Sequence, residues 1–422
     1  MHNASDRRSA AIVIALLFVF MLINFADKAA LGLVAVPLMK ELDLSADQFG
    51  VVAGTFFSLF AISGVIVGFL ANRIAAKPLL GALALIWTVA QLPLALATAS
   101  MPLLIACRVL LGAGEGPAYP LALHACYKWV PNGKRNIPTA IIMQGGQAGM
   151  LLAGPVVTLL TIHYGWRSAF LVLGVAGLVW MVLWQLFSKE GPLDQAAPAA
   201  ADSPGQAVPY RRLLLDPTYI GSVAVYWTAY WVVAIIFTWI PSYLQNALGY
   251  PASQSGWMFS LFIAINIPVS LLGAYASEAM LRRGCSSRLA RGVLTAMLTL
   301  LGAALILLAV QAEMPRDVRT VLLALGCSLP QISFVLCPAI VGEISPVRQR
   351  GAALAICNSI ATTAGLIAPI VMGRMIGAGV GTAGYQDGLM CSAAVLAAGA
   401  MVCLLTVNSE GSLRRVGAIK AA

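Results

Sequence analysis

The stretch AAIVIALLFVFMLINFADKAALGLVAV, residues 10–36, is apolar except for Asn24 and the adjacent charges Asp27 and Lys28. A helix needs about 20 mostly apolar residues to cross the hydrocarbon core of a bilayer, so this stretch predicts a membrane span. Arg7 and Arg8 precede it, as basic residues precede the apolar region of a signal peptide. This apolar stretch is long and further apolar stretches follow it, which favours a signal anchor that is kept in the mature protein over a cleaved signal peptide.

The composition of the whole chain supports a membrane protein. Of 422 residues, 60% are hydrophobic and only 10% are Asp, Glu, Lys or Arg, against roughly 25% charged in a typical soluble domain. This small charged fraction cannot cover the surface of a soluble protein, and the large apolar fraction is not that of a disordered chain. A soluble globular protein and a disordered chain are therefore both excluded.

Eleven further apolar runs bring the predicted number of spans to twelve. The runs cover residues 10–36, 49–71, 79–99, 102–124, 137–162, 166–187, 218–247, 255–277, 291–311, 318–341, 351–376 and 387–407. The segment between the sixth and seventh runs is rich in Pro, Ala and charge, as linkers are. We therefore predict an all-α integral membrane protein with two pseudo-symmetric six-helix bundles, residues 1–187 and 218–422, joined by a cytoplasmic loop, residues 188–217.

The placement of Lys and Arg predicts the orientation, because short cytoplasmic loops carry an excess of these residues. Of the 26 Lys and Arg, 19 fall in loops on the side of the N-terminus. The four on the other side are Lys40, Arg167, Arg316 and Arg319, and the three within spans are Lys28, Arg108 and Arg374. We expect an inner-membrane protein with both termini cytoplasmic. The net charge of +10 then reflects topology in a lipid bilayer and does not indicate nucleic acid.

The two halves repeat one loop. WVPNGKRNIPTAIIMQGG follows the fourth run and EISPVRQRGAALAICNS follows the tenth, with Pro131 and Arg135 at the same spacing as Pro346 and Arg350. Two six-span halves with repeated loops are typical of parallel-repeat transporters.

Motifs for other functions are missing or out of context. The sequence has no GxxxxGK[ST], HExxH or GxSxG, which argues against ATP-driven transport and against a recognisable hydrolase. GVGTAG at residues 379–384 has no βαβ context for a dinucleotide. The eight cysteines form no CxxC pair, so neither a disulfide framework nor a metal site is indicated. We expect no enzyme and no metal.

Charged residues inside the first and fourth runs are the most informative ones. A charge at a helix centre costs about 2.5–3.5 kcal/mol on insertion scales, yet the first run holds Asp27 and Lys28 and the fourth holds Arg108 and Glu115. Seven residues are about two helical turns, so Arg108 and Glu115 share one face. The four groups could pair across a cavity, or they could be neutralised pairs that only fix helix packing.

The sequence resembles the major facilitator superfamily, and within it the anion:cation symporter family of organic-anion transporters. The resemblance covers nearly the whole chain. Its motifs are NFADKAALGL in the first run, RVLLGAGEGPAYP and YKWVPNGKR around the fourth, GWRSAF before the sixth, and FTWIPSYLQNALGY in the seventh. Two departures stand out: Asn72 replaces the usual Asp after the second run, and Asp27-Lys28 stands where the family often has Asp-Arg.

The resemblance implies proton-coupled uptake of a small organic anion, with Asp27 and Glu115 carrying protons. A guanidinium matches a carboxylate bidentately, so Arg108 is our first candidate for the substrate carboxylate. Lys28 is the second, alternating between Glu115 and substrate. An anion that recruits either cation removes it from the carboxylate, which then takes up a proton more easily. The proton is the coupling ion, no other cofactor is expected, and the family default is a monomer.

Polar residues on other spans would orient the substrate or form gates. Substrate candidates are Gln144, Gln147, Tyr226, Tyr230 and Asn358, for which interhelical hydrogen bonds or packing are the alternative. Gate candidates are Arg73, Lys77, Glu278, Arg283, Glu343 and Arg350, with Glu278 near Arg283 and Glu343 near Arg350. The alternative functions are an exporter of drugs or metabolites and a non-transporting sensor. The paired cations Lys28 and Arg108 argue against an exporter, because exporters usually lack such an anion site. The central loop is too short to hold the output domain that a sensor would need.

Overall fold

A computed structural model describes residues 4–71, 73–96, 99–131, 134–192, 208–346 and 349–416. Asn72 therefore lies outside the described residues. In the first half of the chain the helices are α1 (Ala4–Leu33), α2 (Ala35–Glu41), α3 (Ala46–Gly54), α4 (Phe60–Leu70), α5 (Ala76–Gln91), α6 (Met101–Glu115), α7 (Ala118–Tyr127), α8 (Asn136–Tyr164) and α9 (Arg167–Phe187). In the second half they are α10 (Tyr210–Leu214), α11 (Pro217–Thr238), α12 (Ile240–Asn246), α13 (Ala252–Arg282), α14 (Leu294–Gln311), α15 (Arg316–Ser328), α16 (Ser333–Ile344), α17 (Arg350–Ala378), α18 (Ala383–Thr406) and α19 (Ser409–Val416).

The twelve predicted runs are all helical in the described residues. In the part of the chain that the structure describes, eleven helical stretches are long and apolar enough to cross a membrane. The remaining predicted run, residues 102–124, consists of α6 and α7, which are separated at Gly116 and Pro117. α6 has 15 residues and α7 has 10, so neither piece alone reaches the length of a span. The all-α fold with twelve membrane-crossing segments is confirmed.

The backbone contacts divide the chain into two compact units. The first unit comprises Met1–Ala201, Phe237–Gln245 and Gly249–Ser260, and the second comprises Asp202–Ile236, Asn246–Leu248 and Leu261–Ala422. In the first unit, the ring of Phe20 lies 4.5 Å from that of Trp87 and 4.6 Å from that of Trp180. The indole N–H of Trp180 donates to the Leu16 carbonyl at 2.7 Å. These aromatic contacts join α1, α5 and α9 in a core to which α7 also contributes buried residues.

The second unit has its own core, in which three cysteines behave as small apolar residues. Cys337, Cys357 and Cys403 are buried in it as free thiols. Tyr219 is buried beside them, and its hydroxyl donates to the Ala353 carbonyl at 2.9 Å. This core joins α11, α16, α17 and α18.

The sequence repeat is visible in two matching helices. α8 and α17 each contain 29 residues, and each carries an internal proline at the same position, Pro155 and Pro369. Because each proline removes one internal hydrogen bond, it marks a bend or weak point in its helix. The two halves therefore share more than the loop that precedes these helices.

Close backbone packing beside α6 depends on Gly112. A Cβ at this position would overlap the Phe56 carbonyl, which belongs to the 3₁₀ turn Thr55–Phe57 between α3 and α4. Small residues at such positions let helix backbones approach closely. Since Arg108 lies one turn before Gly112 on the same face of α6, this approach also brings Phe56 to Arg108.

Candidate substrate and proton site

The structure brings the charged residues of α1 and α6 together. The Nζ of Lys28 lies 2.9 Å from Oε2 of Glu115, and the Glu115 side chain is completely buried. Spans one and four are thus neighbours at this point, as the pairing of their charges requires. A buried charge is stable only beside a partner of opposite charge, and Lys28 provides that partner.

Two further residues hold Lys28 in place. Its Nζ donates to the Oδ1 of Asn24, one turn earlier on α1, and lies 4.3 Å from the centroid of the Phe25 ring. Asn24 is itself buried. We did not predict a role for Asn24 from the sequence, although its spacing of four residues from Lys28 places the two on one helix face.

Arg108 is buried with donors that no described group uses. Only 4% of the residue is exposed, and its guanidinium carbon lies 4.7 Å from the centroid of the Phe56 ring. Its Nε and Nη1 are buried and have no hydrogen-bond partner among the described residues. A guanidinium can stack on an aromatic face while its N–H groups remain directed elsewhere. The arrangement leaves donors ready for an anion.

Asp27 is a buried carboxylate whose oxygens likewise lack hydrogen bonds. Neither of its oxygens has a partner in the described part of the chain. Lys28 follows Asp27 directly in α1, and the side-chain Nε2 of Gln91 at the end of α5 is likewise buried without a hydrogen-bond partner among the described residues. Gln91 is a second residue that we did not predict, since a single amide in an apolar helix carries no sequence signal of its own.

One small cavity connects the two cations. It is lined by both Lys28 and Arg108, with Phe56, Phe57 and Thr238 among the other lining residues. All of these residues belong to the first unit. Its volume is about 10 Å³, room for about one water molecule, so an organic anion would have to widen the cavity to meet the ammonium and the guanidinium between its aromatic walls.

The two glutamines of α8 differ in their surroundings. Gln144 is exposed, whereas Gln147 is partly buried and its Oε1 has no hydrogen-bond partner among the described residues. α8 packs against α1 nearby, where Gly146 fits closely against the ring of Phe25. Because Phe25 also contacts Lys28, this part of α8 supports the wall behind the lysine.

Tyr226, Tyr230 and Asn358 form one cluster in the second unit. Both tyrosine hydroxyls donate to the Oδ1 of Asn358, at 3.1 Å from Tyr226 and 2.8 Å from Tyr230. The ring of Phe334 packs edge-on against both tyrosines. The structure therefore joins three residues that were predicted separately, and it gives them the interhelical hydrogen bonds that were the alternative to substrate contact.

The gate candidates of the first unit differ in how firmly they are held. Lys77 ties the start of α5 to the end of α9, because its Nζ donates at 2.8 Å to the carbonyls of both Gln185 and Ser188. Its backbone N–H also donates to Glu190 at 2.7 Å. Arg73 is exposed.

In the second unit the acidic gate candidates have partners other than the expected ones. Glu343 accepts from Arg291 at 2.7 Å and from the Ser287 hydroxyl at 2.6 Å, and its partner is not Arg350. Glu278 lies 3.9 Å from Arg282, one turn along α13, in an exposed pair that does not include Arg283. Arg283 and Arg350 are exposed. The ion-pair partners of Glu278 and Glu343 depend on which helix ends lie next to each other, and the spacing of residues in the sequence does not show this.

The fold and the site together define a class: a multi-pass helical membrane protein with paired charges buried inside its spans. The chain belongs to the Major Facilitator Superfamily, whose family model matches residues 16–330. The probable sulfoacetate transporter SauU of Cupriavidus necator is 27% identical over 405 residues, covering 92% of each chain. The hexuronate transporter of Bacillus subtilis is 25% identical over 395 residues, also covering 92% of each. The resemblance to organic-anion transporters of this superfamily is thereby confirmed.

A solved structure supports the fold independently. A bacterial homologue of the human lysosomal transporter Spinster, in an inward-facing and occupied conformation, superposes with a TM-score of 0.80 at 17% identity. The match covers 97% of this chain and 98% of that one. At this identity the likeness concerns the fold alone.

Proposed function

We propose that this protein is a secondary transporter that takes up a small organic anion, a sugar acid or another carboxylate, together with protons. The proposal includes alternating access between the two halves, an inner-membrane location with cytoplasmic termini, and a monomer that has no enzymatic activity. The names of its relatives, which refer to sulfoacetate and hexuronate, support an anionic substrate.

The observation that carries the proposal is the state of Arg108. A buried guanidinium with two unused donors is costly unless an anion completes it, and Nε and Nη1 have no partner among the described residues. A carboxylate can accept from two donors of one guanidinium in parallel. Arg108 would bind the substrate carboxylate, and Lys28, on the same cavity, would contribute the second positive charge.

The ion pair between Lys28 and Glu115 supports the coupling step. A substrate anion that draws the Lys28 ammonium toward itself weakens its contact with Glu115, whose Oε2 lies 2.9 Å from the ammonium. A buried carboxylate that loses its cation binds a proton more readily. Anion and proton would thus enter together, and Asp27, which has no hydrogen bond of its own among the described residues, would be the second proton-carrying group.

The cluster in the second unit would contribute polar contacts to the substrate. The Asn358 amide oxygen accepts from Tyr226 and Tyr230, which fixes the orientation of the amide group. Its N–H₂ group is then oriented as well and could donate to a substrate hydroxyl.

Uptake into proteoliposomes tests the proposal directly. Purified protein is reconstituted, a pH gradient is imposed with the outside acidic, and a panel of labelled acids is offered: hexuronates, aldonates, sulfoacetate and an uncharged hexose. We expect one or more acids to accumulate, no accumulation of the hexose, and a collapse of accumulation when a protonophore is added. Accumulation that is unchanged by the protonophore would overturn proton coupling. Accumulation that requires the opposite gradient, with the inside acidic and protons flowing out, would identify an exporter.

A further inference from the structure

A second cationic cavity lies in the second unit, away from the residues of the proposed transport site. It has a volume of about 510 Å³ and is lined by Arg211 and Arg212 of α10, by Asp216 and Pro217 at the start of α11, and by Arg415 of α19. Ligand-binding cavities commonly have volumes of about 300–1,000 Å³. The cavity is therefore large enough for a phosphate group with its neighbouring glycerol.

The charges of this cavity do not cancel. Arg415 is neutralised, because its Nε lies 3.0 Å from Oδ2 of Asp216. Arg211 and Arg212 are exposed, and neither forms an ion pair with any described residue. Two cations thus remain available at the rim of the cavity.

The walls are held by hydrogen bonds that involve no ligand. Asp216 accepts from the Ser412 hydroxyl at 2.5 Å and from the Thr218 backbone N–H at 2.9 Å. Ser412 and Thr218 are themselves joined at 2.6 Å, which fixes α19 against the start of α11. Leu213 is fully buried and anchors α10 next to the two free arginines. The cavity is therefore a built feature of the fold.

The position of the cavity indicates what would occupy it. α11 is one of the apolar helices long enough to span the membrane, and α18, which precedes α19, is another. The cavity lies at the start of α11 and next to the continuation of α18, which is the level at which lipid headgroups meet a membrane protein. Leu215, which is 60% exposed, and Tyr210 provide apolar surface next to the arginines.

We propose that this cavity binds the headgroup of an anionic phospholipid, with Arg211 and Arg212 on the phosphodiester and the apolar surface of Leu215 and Tyr210 along the acyl chains. Basic pockets beside membrane helices are suited to anionic headgroups, and guanidinium groups bind phosphate oxygens through charge-assisted hydrogen bonds. A free phosphate would use the arginines but would gain nothing from the apolar surface. For this reason we favour a lipid as the occupant.

Native mass spectrometry of the full-length protein, with lipid added back after delipidation, tests the proposal. We expect dioleoyl phosphatidylglycerol to bind at one site of highest affinity and dioleoyl phosphatidylcholine to bind much more weakly. Each basic residue at an anionic lipid surface contributes about fivefold in affinity, so R211Q/R212Q should weaken phosphatidylglycerol binding roughly 25-fold. R211K/R212K keeps both positive charges and should retain most of the affinity for phosphatidylglycerol.

Matched controls separate this site from general attraction to negative lipids. R7Q/R8Q removes the same charge from two exposed arginines at the start of α1 and should leave the highest-affinity site unchanged. Glycerol 3-phosphate, the soluble headgroup fragment, should not compete at millimolar concentration. Equal loss in R7Q/R8Q and R211Q/R212Q would overturn the proposal, and full competition by glycerol 3-phosphate would assign the cavity to a soluble anion instead. Neither result depends on transport, which is measured separately.

Discussion

The Lys28 ammonium lies 2.9 Å from the Glu115 carboxylate and also donates to Asn24 on its own helix. One cation therefore joins a carboxylate on α6 to an amide on α1, in a place where few polar groups are available. Any ligand that attracts Lys28 changes the surroundings of both residues.

Replacing Glu115 by Gln should uncouple transport from the proton gradient. The amide is close in shape to the carboxylate but cannot take up a proton, so the pH gradient can no longer drive accumulation. We expect loss of concentrative uptake in proteoliposomes while exchange of labelled for unlabelled substrate continues. Full concentrative uptake by Glu115→Gln would exclude this residue from proton coupling.

Replacing Arg108 by Lys should weaken substrate binding at least about tenfold, because an ammonium cannot make two parallel hydrogen bonds to one carboxylate. The measurement is the KM for uptake, or the Kd from ligand-induced stabilisation in detergent. Arg374→Lys, which changes an exposed arginine on α17, serves as the control and should keep the wild-type KM. An unchanged affinity in Arg108→Lys would contradict the bidentate contact.

Replacing Phe56 by Leu should reduce affinity without unfolding the protein. The ring stacks on the Arg108 guanidinium at 4.7 Å, and such contacts are worth about 0.5–2 kcal/mol, which corresponds to roughly 2- to 30-fold in Kd. Phe69→Leu makes the same change at a ring that is 72% exposed on α4 and should leave affinity unaltered. Equal effects in the two variants would show that the stacking does not orient Arg108.

Replacing Gly112 by Ala should destabilise the protein, because the added methyl group meets the fixed Phe56 carbonyl. Overpacking of this kind costs about 1–3 kcal/mol. Gly68, on α4, has no described residue within 4 Å of an added Cβ, so Gly68→Ala should be neutral or slightly stabilising through helix propensity. The measurement is the melting temperature of each variant in detergent, which should fall below the wild-type value for Gly112→Ala only. A Gly112→Ala variant as stable as Gly68→Ala would rule out the close approach.

An ion pair outside the spans should make stability depend on pH. The Trp166 indole N–H and the Arg167 guanidinium donate to Glu41 at 2.6 and 2.5 Å, and these bonds hold the pKa of Glu41 below its ordinary value. A lowered pKa in the folded state means that the stabilisation is complete above the ordinary value of about 4.3 and is lost as the pH falls through the folded value. Because Glu41 is half exposed, the effect should stay below about 1 kcal/mol.

Melting curves of wild type and Glu41→Gln at several pH values test this dependence. Wild type should melt about 1 °C higher near pH 7, as expected for an effect of this size in a chain of 422 residues, and the two curves should converge at acidic pH. A difference that persists unchanged to pH 3 would mean that the hydrogen bonds of Glu41 do not depend on its charge.

Sequence reasoning located the charged site because charge within a span is rare and costly. Asp27, Lys28, Arg108 and Glu115 needed only hydropathy and helical spacing. Phe56 and Gln91 could not be found in this way, since an aromatic ring or a single amide in an apolar segment looks like packing. Their roles depend on which helices meet, and on the Gly112 contact that brings the 3₁₀ turn to α6.

The pairing of Glu343 shows the same limit in another form. The sequence places Glu343 near Arg350, but the acid bonds to Arg291 in a π-helical turn, Arg288–Val293, that leads into α14. An acidic residue can pair with a basic residue nearby in sequence or with one that tertiary packing places beside it. Sequence spacing alone does not show which of the two pairs will form.

The fourth span is interrupted at Gly116 and Pro117, and it is the one predicted run missing from the eleven spans that length and hydropathy find in the described residues. An odd number of spans would put the N-terminus and the C-terminus on opposite sides of the membrane. It would also invert the second half relative to the first, and the arginines that precede and follow its helices would then lie on the side opposite to the one that the distribution of Lys and Arg predicts. Counting α6 and α7 as one crossing restores even parity, so this one interrupted stretch decides on which side of the membrane an impermeant label would find half of the chain's loops.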